Sequence, residues 1–288
     1  MFYSYKKIII KAFEQKYAIA QVNVYNLELI KTVLKTAEEL NSPIFLGVSE
    51  KSVEYMGGFK TVVCLVKELK KFYKISVPII LHLDHGSFEG AKKALRAGFN
   101  SIMFDGSNYN FKINLHKTKK LKEMCNKKNV LIEAEVGSIG GKEDNIIGKH
   151  NIANPDECLE ISKLGIDMLA IGIGNIHGEY PNNWTGLDFQ AFKKISINTE
   201  NKIPLVLHGG TGIPDNMIKK AISFGVVKIN INTEFQIVFA KSIRKYIEEG
   251  KDLLNKGFNT IELLKPGYLS IKRAIQNKLL LFGSVNKS

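Results

Sequence analysis

The chain has 288 residues, 44% of them hydrophobic, and a formal net charge of +13. Its length is enough to bury a large core, and no apolar stretch approaches the roughly 20 residues that cross a bilayer. The amino-terminal residues lack the long apolar segment of a secretory signal, and an odd set of three cysteines cannot pair fully within the chain. These features predict a cytoplasmic protein with buried free thiols and no membrane partner.

The positive charge invites a nucleic-acid-binding interpretation, because basic surfaces attract phosphate backbones. The lysines, however, are scattered over the polar faces of predicted helices, and no RNP, helix-turn-helix or zinc-finger pattern accompanies them. We therefore expect a generally basic surface that favours an anionic small substrate, with no nucleic-acid partner. A basic RNA-binding or surface-adhesion role is the non-enzymatic alternative.

Short β-branched runs alternate with amphipathic segments along most of the chain. The runs predict strands near Ala18–Val24, Pro43–Val48, Pro78–Asp84, Ser101–Asp105, Val130–Val136, Met168–Gly172, Pro204–His208 and Val227–Ile231. The segments between them predict helices at Leu27–Leu40, Phe59–Tyr73, Gly90–Ala97, Leu115–Lys127, Pro155–Leu164, Gly186–Ile195 and Pro214–Phe224. Strands that are apolar on both faces indicate a parallel sheet covered by helices.

Eight such repeats followed by a helical tail predict an α/β fold of the (β/α)₈ TIM-barrel class. We expect one domain over residues 1–288, in which residues 233–288 form a helical C-terminal part with helices at Thr233–Glu249 and Tyr268–Phe282. A doubly wound open sheet is the alternative fold, but no Gly-x-Gly-x-x-Gly motif follows the first predicted strand.

Three of the six histidines, His85, His177 and His208, are each followed directly by glycine and end or follow a short apolar run. The carboxyl ends of barrel strands meet at one mouth, so these imidazoles are expected to converge on a metal ion. Three unrelated strand-end histidines are the alternative. We interpret the nearby His82 as a core histidine, whereas Asp84 is either an acid/base or a partner of a metal ligand.

Carboxylates mark the next two predicted strands. Glu133 and Glu135 lie within an apolar strand, where burial is costly unless they are paired or ligated, so at least one should face the site. Asp105 ends the preceding strand in a similar way. We interpret Gly137–Gly148 as a mobile loop that carries Glu143 over the substrate, with a solvated surface loop as the alternative.

The last two predicted strands end in stretches typical of a phosphate site, because glycine lets backbone N–H groups approach an anion closely. An ordinary glycine turn with a polar helix cap is the alternative. The candidate donors are Gly209, Gly210, Thr211, Asn230 and Thr233.

The sequence resembles the class II, metal-dependent fructose-1,6-bisphosphate aldolases over almost its whole length. Segments 55–62, 82–87, 133–137, 177–178, 208–214 and 228–234 carry the resemblance together. It implies Zn²⁺ held by His85, His177 and His208, with a monovalent cation as an optional addition. It also implies that Asp105 and Glu135 contact a second or displaced metal position.

The resemblance assigns the two proton transfers as well. Asp84 would handle the proton on the C4 hydroxyl, and Glu143 the proton on the carbon that becomes the enediolate. Asn23 and Ser49 match positions near the substrate in that family. The dihydroxyacetone-phosphate half would be held by Gly178, Gly209, Thr211, Asn230, Ile231, Asn232 and Thr233.

The expected activity is reversible cleavage of fructose 1,6-bisphosphate through a zinc-stabilised enediolate, which requires no Schiff-base lysine. Lys228 is the candidate for that rival mechanism. Tagatose-1,6-bisphosphate aldolase and a zinc hydrolase on the same barrel are the alternative enzymes. Relatives often carry a distal-phosphate arginine in the tail, where this chain has residues 259–266, which leaves Lys256 or Lys265 as substitutes. A homodimer or homotetramer is expected.

Overall fold

A computed structural model describes residues 4–143, 146–148 and 151–288. The strands within these ranges are β1 (Ile19–Asn23), β2 (Ile44–Val48), β3 (Ile79–Gly86), β4 (Ser101–Phe104), β5 (Leu131–Val136), β6 (Gly140–Glu143), β7 (Ile146–Gly148), β8 (Met168–Ile171), β9 (Ile176–His177), β10 (Leu205–Leu207) and β11 (Val226–Ile231). Eight of them close into a parallel barrel in the order β1-β2-β3-β4-β5-β8-β10-β11, with β11 paired to β1. Closure confirms the TIM-barrel prediction and excludes the open sheet.

The helices follow the strands along the chain. Their bounds are α1 (Tyr5–Glu14), α2 (Leu27–Glu39), α3 (Glu50–Tyr55), α4 (Phe59–Phe72), α5 (Phe88–Ala97), α6 (Phe111–Asn126), α7 (Pro155–Ser162), α8 (Phe189–Asn198), α9 (Asp215–Ser223), α10 (Thr233–Glu248) and α11 (Thr260–Phe282). α11 packs on α10 and also contacts α2, α9 and β1. Among the described residues, no helix is long and apolar enough to cross a membrane.

The amino-terminal end of the barrel is closed by α1. Ile8, Ile9 and Ala12 from this helix pack against inward-facing strand residues such as Phe45 and Met103. Burial of this apolar layer fills the lower barrel, in the way that side-chain layers fill other barrels of this class. Polar side chains are therefore concentrated at the opposite end, where the strands end.

The structure corrects several sequence-based boundaries. α1 was not predicted, and α11 begins at Thr260 and runs through Pro266, whereas the prediction began only after the proline. The segment predicted as a loop contains β6 and β7, which pair with each other, and β6 also pairs with β9. Cys125 and Cys158 are buried as expected, but Cys64 is exposed.

Candidate active site

A bulge at the carboxyl end of β3 brings two adjacent side chains to the barrel mouth. Leu83 pairs with Ile102 and Gly86 with Phe104, so Asp84 and His85 together oppose a single residue of β4. Neighbouring residues in a regular strand point to opposite faces, and a bulge removes that alternation.

His85 adopts a left-handed backbone conformation at this bulge, with φ of 45°. This conformation costs a non-glycine residue about 1 kcal/mol. The backbone is therefore strained at the residue that brings this imidazole to the mouth.

Three imidazoles meet at the mouth. The ligand nitrogens of His85, His177 and His208 all lie within 4.8 Å of one another, and Nε2 of His85 is 2.9 Å from Nδ1 of His208. Nitrogen ligands at normal zinc distances stand roughly 3.4 Å apart in a tetrahedral site, so this set needs little rearrangement to bind an ion. The predicted convergence is present in the structure.

Glu133 fixes the tautomer of His208. Its Oε1 lies 2.9 Å from Nε2 of His208, and an ionised carboxylate only accepts, so Nε2 carries the proton and Nδ1 presents its lone pair to the mouth. Burial lowers the pKa of His208 to about 4, which keeps the ring neutral at pH 7. Burial opposes ionisation of Glu133, but Lys228 and the hydrogen bond from His208 bring its pKa down to about 2.

A second group of possible ligands shares His85. Nδ1 of His85 lies 2.9 Å from Oδ2 of Asp105 and 3.8 Å from Oε2 of Glu135, and the three residues form a cluster within 4.8 Å. Burial and the nearby Asp105 raise the pKa of Glu135 well above its usual value. Within the described residues, Oε2 of Glu135 is buried without a hydrogen-bond partner, as expected for an oxygen that faces a cation.

Asp84 is held by two amides. Nδ2 of Asn23 donates to its Oδ2 at 2.8 Å, and Nδ2 of Asn230 donates to its Oδ1 at 3.1 Å. Burial opposes ionisation of Asp84, but its electrostatic interactions with His85, His208 and Lys228 hold its pKa well below the usual range. Asp84 is therefore a carboxylate at neutral pH.

A pocket of about 230 Å³ opens beside the imidazoles. Two of its residues, Lys51 and Gln236, were missed by the sequence analysis, because neither belongs to a motif. Its other lining residues are Asn23, His177, Gly178, Gly209, Thr211, Asn230, Asn232 and Thr233.

Three predicted substrate-binding residues lie elsewhere. Ser49 is the N-cap of α3, where its Oγ accepts from the backbone N–H of Ser52. Gly210 donates its backbone N–H to the Asn230 carbonyl at 2.9 Å, and Ile231 is fully buried in β11. None of the three is among the described residues that line the pocket.

Two glycines allow the segment of His177 to fit between its neighbours. A Cβ at Gly209 would stand 2.0 Å from the Ile176 carbonyl oxygen, and one at Gly141 would stand 2.2 Å from that of His177. Both glycines have positive φ, at 66° and 86°. The short strand β9 thereby lies between β6 and the loop after β10, with His177 toward the mouth.

Glu143 ends β6, and its backbone pairs with Ile146 of β7. The side chain of Glu143 lies outside the described residues, so its predicted role stays a prediction.

His82 and Lys228 are both fully buried inside the barrel. Nδ1 of His82 contacts Oγ of Ser101 at 2.8 Å, as expected for a core histidine with its polar atoms satisfied. Nζ of Lys228 contacts Glu133 at 2.8 Å and Gln21 at 2.6 Å. An ammonium bound in this way is a poor Schiff-base nucleophile, which argues against the rival mechanism.

The two lysines suggested for the distal phosphate are not part of this pocket. Lys265 pairs with Glu262 on α11 and faces the groove between α2 and α11, and Lys256 is exposed after α10. Neither belongs to the described lining of the pocket at the mouth.

Comparison with known proteins gives a consistent result. The sequence model of the family "Fructose-bisphosphate aldolase class-II" matches residues 3–287. The chain is 50% identical to a fructose-bisphosphate aldolase of Mycoplasma genitalium, with both chains covered completely, and 48% identical to that of Ureaplasma parvum, with 98% and 97% covered. A crystal structure of a putative fructose-1,6-biphosphate aldolase from Coccidioides immitis superposes with a TM-score of 0.86 at 28% identity, with 98% and 96% covered.

The chain belongs to the class II fructose-bisphosphate aldolases. Membership of this class implies a divalent metal. The donor set fits one, because three imidazoles lie close together and His85 is shared with a second group formed by Asp105 and Glu135, in which Oε2 of Glu135 is buried without a described hydrogen-bond partner.

Proposed function

We propose that this chain is a zinc-dependent aldolase that reversibly cleaves fructose 1,6-bisphosphate to dihydroxyacetone phosphate and glyceraldehyde 3-phosphate. One observation carries the proposal: an ionised, amide-bound Asp84 adjoins a triad of imidazoles that share a mouth with a glycine-rich pocket. The relatives at 40–50% identity are named for the same reaction, so the tagatose and hydrolase alternatives gain no support.

His85, His177 and His208 would hold the zinc ion. Bound there, zinc would polarise the substrate ketone and stabilise negative charge on its oxygen. Asp105 and Glu135 would serve a second or displaced metal position next to His85, and a monovalent cation remains an optional addition.

Asp84 would remove the proton from the C4 hydroxyl. The C4 oxygen then becomes a carbonyl oxygen as the C3–C4 bond breaks, and the bonding electrons pass into the enediolate of dihydroxyacetone phosphate. Glu143 would deliver a proton to C3 of that enediolate. Condensation follows the same steps in reverse.

The pocket would hold the phosphate of the dihydroxyacetone half. Backbone N–H groups next to glycine approach an anion closely, and Gly178, Gly209 and Thr211 offer such groups. Asn232 and Thr233 stand where α10 begins, so the positive end of that helix also favours an anion.

The decisive experiment compares wild type, His208→Ala and His116→Ala in a coupled cleavage assay with metal analysis. His208→Ala should lose bound zinc and lower kcat/KM more than about 100-fold, because a lost ligand exceeds the 10–100-fold effect of its outer partners. His116 is exposed on α6, so its variant should match wild type. Activity of wild type that survives chelator treatment would contradict the proposal, and kcat/KM on tagatose 1,6-bisphosphate tests the alternative substrate.

Three further expectations belong to this proposal. We expect residues 1–288 to act as one domain, in which residues 233–288 form the helical C-terminal part. Free cysteines favour action in the cytoplasm. The protein is expected to form a homodimer or homotetramer.

A further inference from the structure

Seven side chains inside the barrel form a closed ring of polar contacts that passes through the proposed site. Six of them are buried, and the half-buried Asn23 faces the pocket. The ring runs from Lys228 to Gln21 (2.6 Å), Asn23 (3.1 Å), Asp84 (2.8 Å), Asn230 (3.1 Å), His208 (3.1 Å), Glu133 (2.9 Å) and back to Lys228 (2.8 Å).

Lys228 determines which atoms of this ring donate hydrogen bonds and which accept them. Its ammonium has three N–H donors and no acceptor, and three groups surround it: Oε1 of Gln21, Oε2 of Glu133 and, at 3.3 Å, Nε2 of His82. Each of these atoms must therefore accept. Gln21 consequently presents its carbonyl oxygen to Lys228 and its NH₂ group to Asn23.

The direction then passes from one amide to the next. Nε2 of Gln21 donates to Oδ1 of Asn23, so the NH₂ group of Asn23 is left facing Asp84, which as a carboxylate only accepts. A donor-only group at one end and an acceptor-only group at the other fix both amides. A flip of either amide, which changes the shape of the side chain very little, would set oxygen against oxygen.

A glycine in the neighbouring strand leaves room for the amides of Gln21 and Asn23. A Cβ at Gly47 would lie 2.4 Å from Nε2 of Gln21 and 2.9 Å from Oδ1 of Asn23. Any side chain at Gly47 of β2 would therefore collide with both amides. This close approach supports a specific role for their contact.

We propose that Lys228 and Gln21 are positioning residues for the C–C cleavage step: they fix the amide of Asn23 so that it donates to Asp84. A general base must be held within a narrow range of distance and angle, and the donated bond from Asn23 supplies one of the two contacts that hold Asp84. The inference rests on the proposed function, because Asp84 has this task only if it handles the C4 hydroxyl proton.

Gln21→Glu is the sharpest test, because it preserves shape and the acceptor for Lys228 but removes the donor to Asn23. The amide of Asn23 should then turn toward Glu at position 21 and present its oxygen to Asp84. We expect kcat for fructose 1,6-bisphosphate cleavage to fall about tenfold to a hundredfold, part of the 10²–10⁴ that general acid–base catalysis provides, with KM changed less than about threefold.

A partial reaction separates positioning from structural damage. Dihydroxyacetone phosphate exchanges a proton of its hydroxymethyl carbon, which corresponds to C3 of the sugar, with D₂O. This exchange does not involve the C4 hydroxyl, so its rate in Gln21→Glu should stay within about threefold of wild type. Zinc affinity of the metal-free protein, measured by chelator competition, should also be unchanged. Lys228→Met should lower both cleavage and zinc affinity, because it also releases Glu133 from its ion pair.

The controls keep the test decisive. Thr36→Val removes a buried hydroxyl of α2 outside the ring and should match wild type in every rate. Should Gln21→Glu fail to fold, Gln21→Met must still lower the ratio of cleavage to exchange at least about threefold. An unchanged ratio in the folded variant overturns the inference, whereas failure of the proposed function would be seen in wild type, as absence of cleavage with zinc.

Discussion

Lys51 is the one lysine or arginine among the described residues that line the pocket beside His177. We expect Lys51→Ala to raise KM for fructose 1,6-bisphosphate about tenfold and to leave kcat within about threefold. The reason is that a hydrogen bond to a charged group contributes roughly 1.5–3 kcal/mol, and exposure of Lys51 reduces this. Steady-state kinetics at fixed ionic strength measures the effect.

Lys60→Ala is the matched control for that experiment, since Lys60 is an exposed lysine of α4 outside the pocket. It removes the same charge from the protein. Equal increases of KM in the two variants would mean that overall charge, and not a contact of Lys51, attracts the substrate.

His82 predicts an acid sensitivity of folding. Burial lowers its pKa in the folded protein from 6.5 to about 3, so below pH 6.5 the unfolded chain takes up a proton that the folded chain does not. The contribution of His82 to stability is therefore complete above pH 6.5 and is lost as pH falls toward 3. The loss approaches about 1.4 kcal/mol per pH unit.

Urea unfolding of the metal-free protein between pH 7 and pH 4.5 checks this expectation. The variant His82→Gln lacks the titrating ring, so its free energy of unfolding should fall less steeply over the same range. Parallel curves for the two proteins would assign the acid sensitivity to other groups.

For individual residues, the sequence predicted which side chains belong to the site more readily than which side chains they contact. The His-Gly pairs identified three imidazoles that the structure brings together. The contact between Glu133 and His208, 75 positions apart, depends on which strands become neighbours, and the sequence has no local signal for it. Lys51 was missed for a similar reason, because nothing in its local pattern distinguishes it from the other surface lysines.

At the scale of the elements, the pairing of β6 with β9 leaves no room for a side chain at position 141. We expect Gly141→Ala to weaken zinc binding about tenfold or more, because the added Cβ would collide with the carbonyl of His177 and displace that ligand. Chelator competition measures the affinity. Left-handed strain should also reduce the free energy of unfolding by about 1 kcal/mol.

Gly165→Ala separates the two effects. Gly165 also has positive φ, at 70°, but a Cβ there meets nothing within 4 Å. It should lose similar stability and keep normal zinc affinity. A loss of zinc affinity in both variants would show that strain, and not the contact with His177, is responsible.

The barrel strands were predictable because each is a short apolar run between helices, and burial on both faces leaves a clear pattern. β6, β7 and β9 were not predictable in this way. Each spans two to four residues, is held by glycines and long-range pairing, and has too few side chains to show a period of two. Pro266 concealed the first turns of α11, because proline usually marks a helix boundary.

At the scale of the whole molecule, the exposed apolar side chains around the start of α11 predict self-association. Leu253, Phe258 and Ile261 are 81%, 70% and 76% exposed. We expect light scattering to find a homodimer or homotetramer, and Phe258→Ser to shift it toward monomer, because a buried aromatic side chain contributes strongly to an interface.

Phe72→Ser provides the comparison, since Phe72 is 77% exposed and belongs to a different helix, α4. Its oligomeric state should equal that of wild type. A wild-type protein that is monomeric at micromolar concentration would contradict the expectation.

The overall architecture was predictable from patterns that extend along the whole sequence: eight repeats, strands apolar on both faces and no dinucleotide-binding motif. Closure of the barrel then determines which ends meet, and hence that the predicted ligands share one mouth. Other properties depend on atomic detail that no pattern encodes. The bulge after Leu83 and the ring of amides inside the barrel are of this kind.

The bulge in β3 joins the proposed base and one proposed zinc ligand by a single peptide bond. Their positions cannot be tuned separately, because any shift of His85 to suit an ion with longer bonds is transmitted to Asp84. Replacing zinc by a larger divalent ion should therefore disturb the handling of the hydroxyl proton as well as the ketone. Under the proposed function, the choice of ion and the accuracy of proton transfer would be mechanically linked.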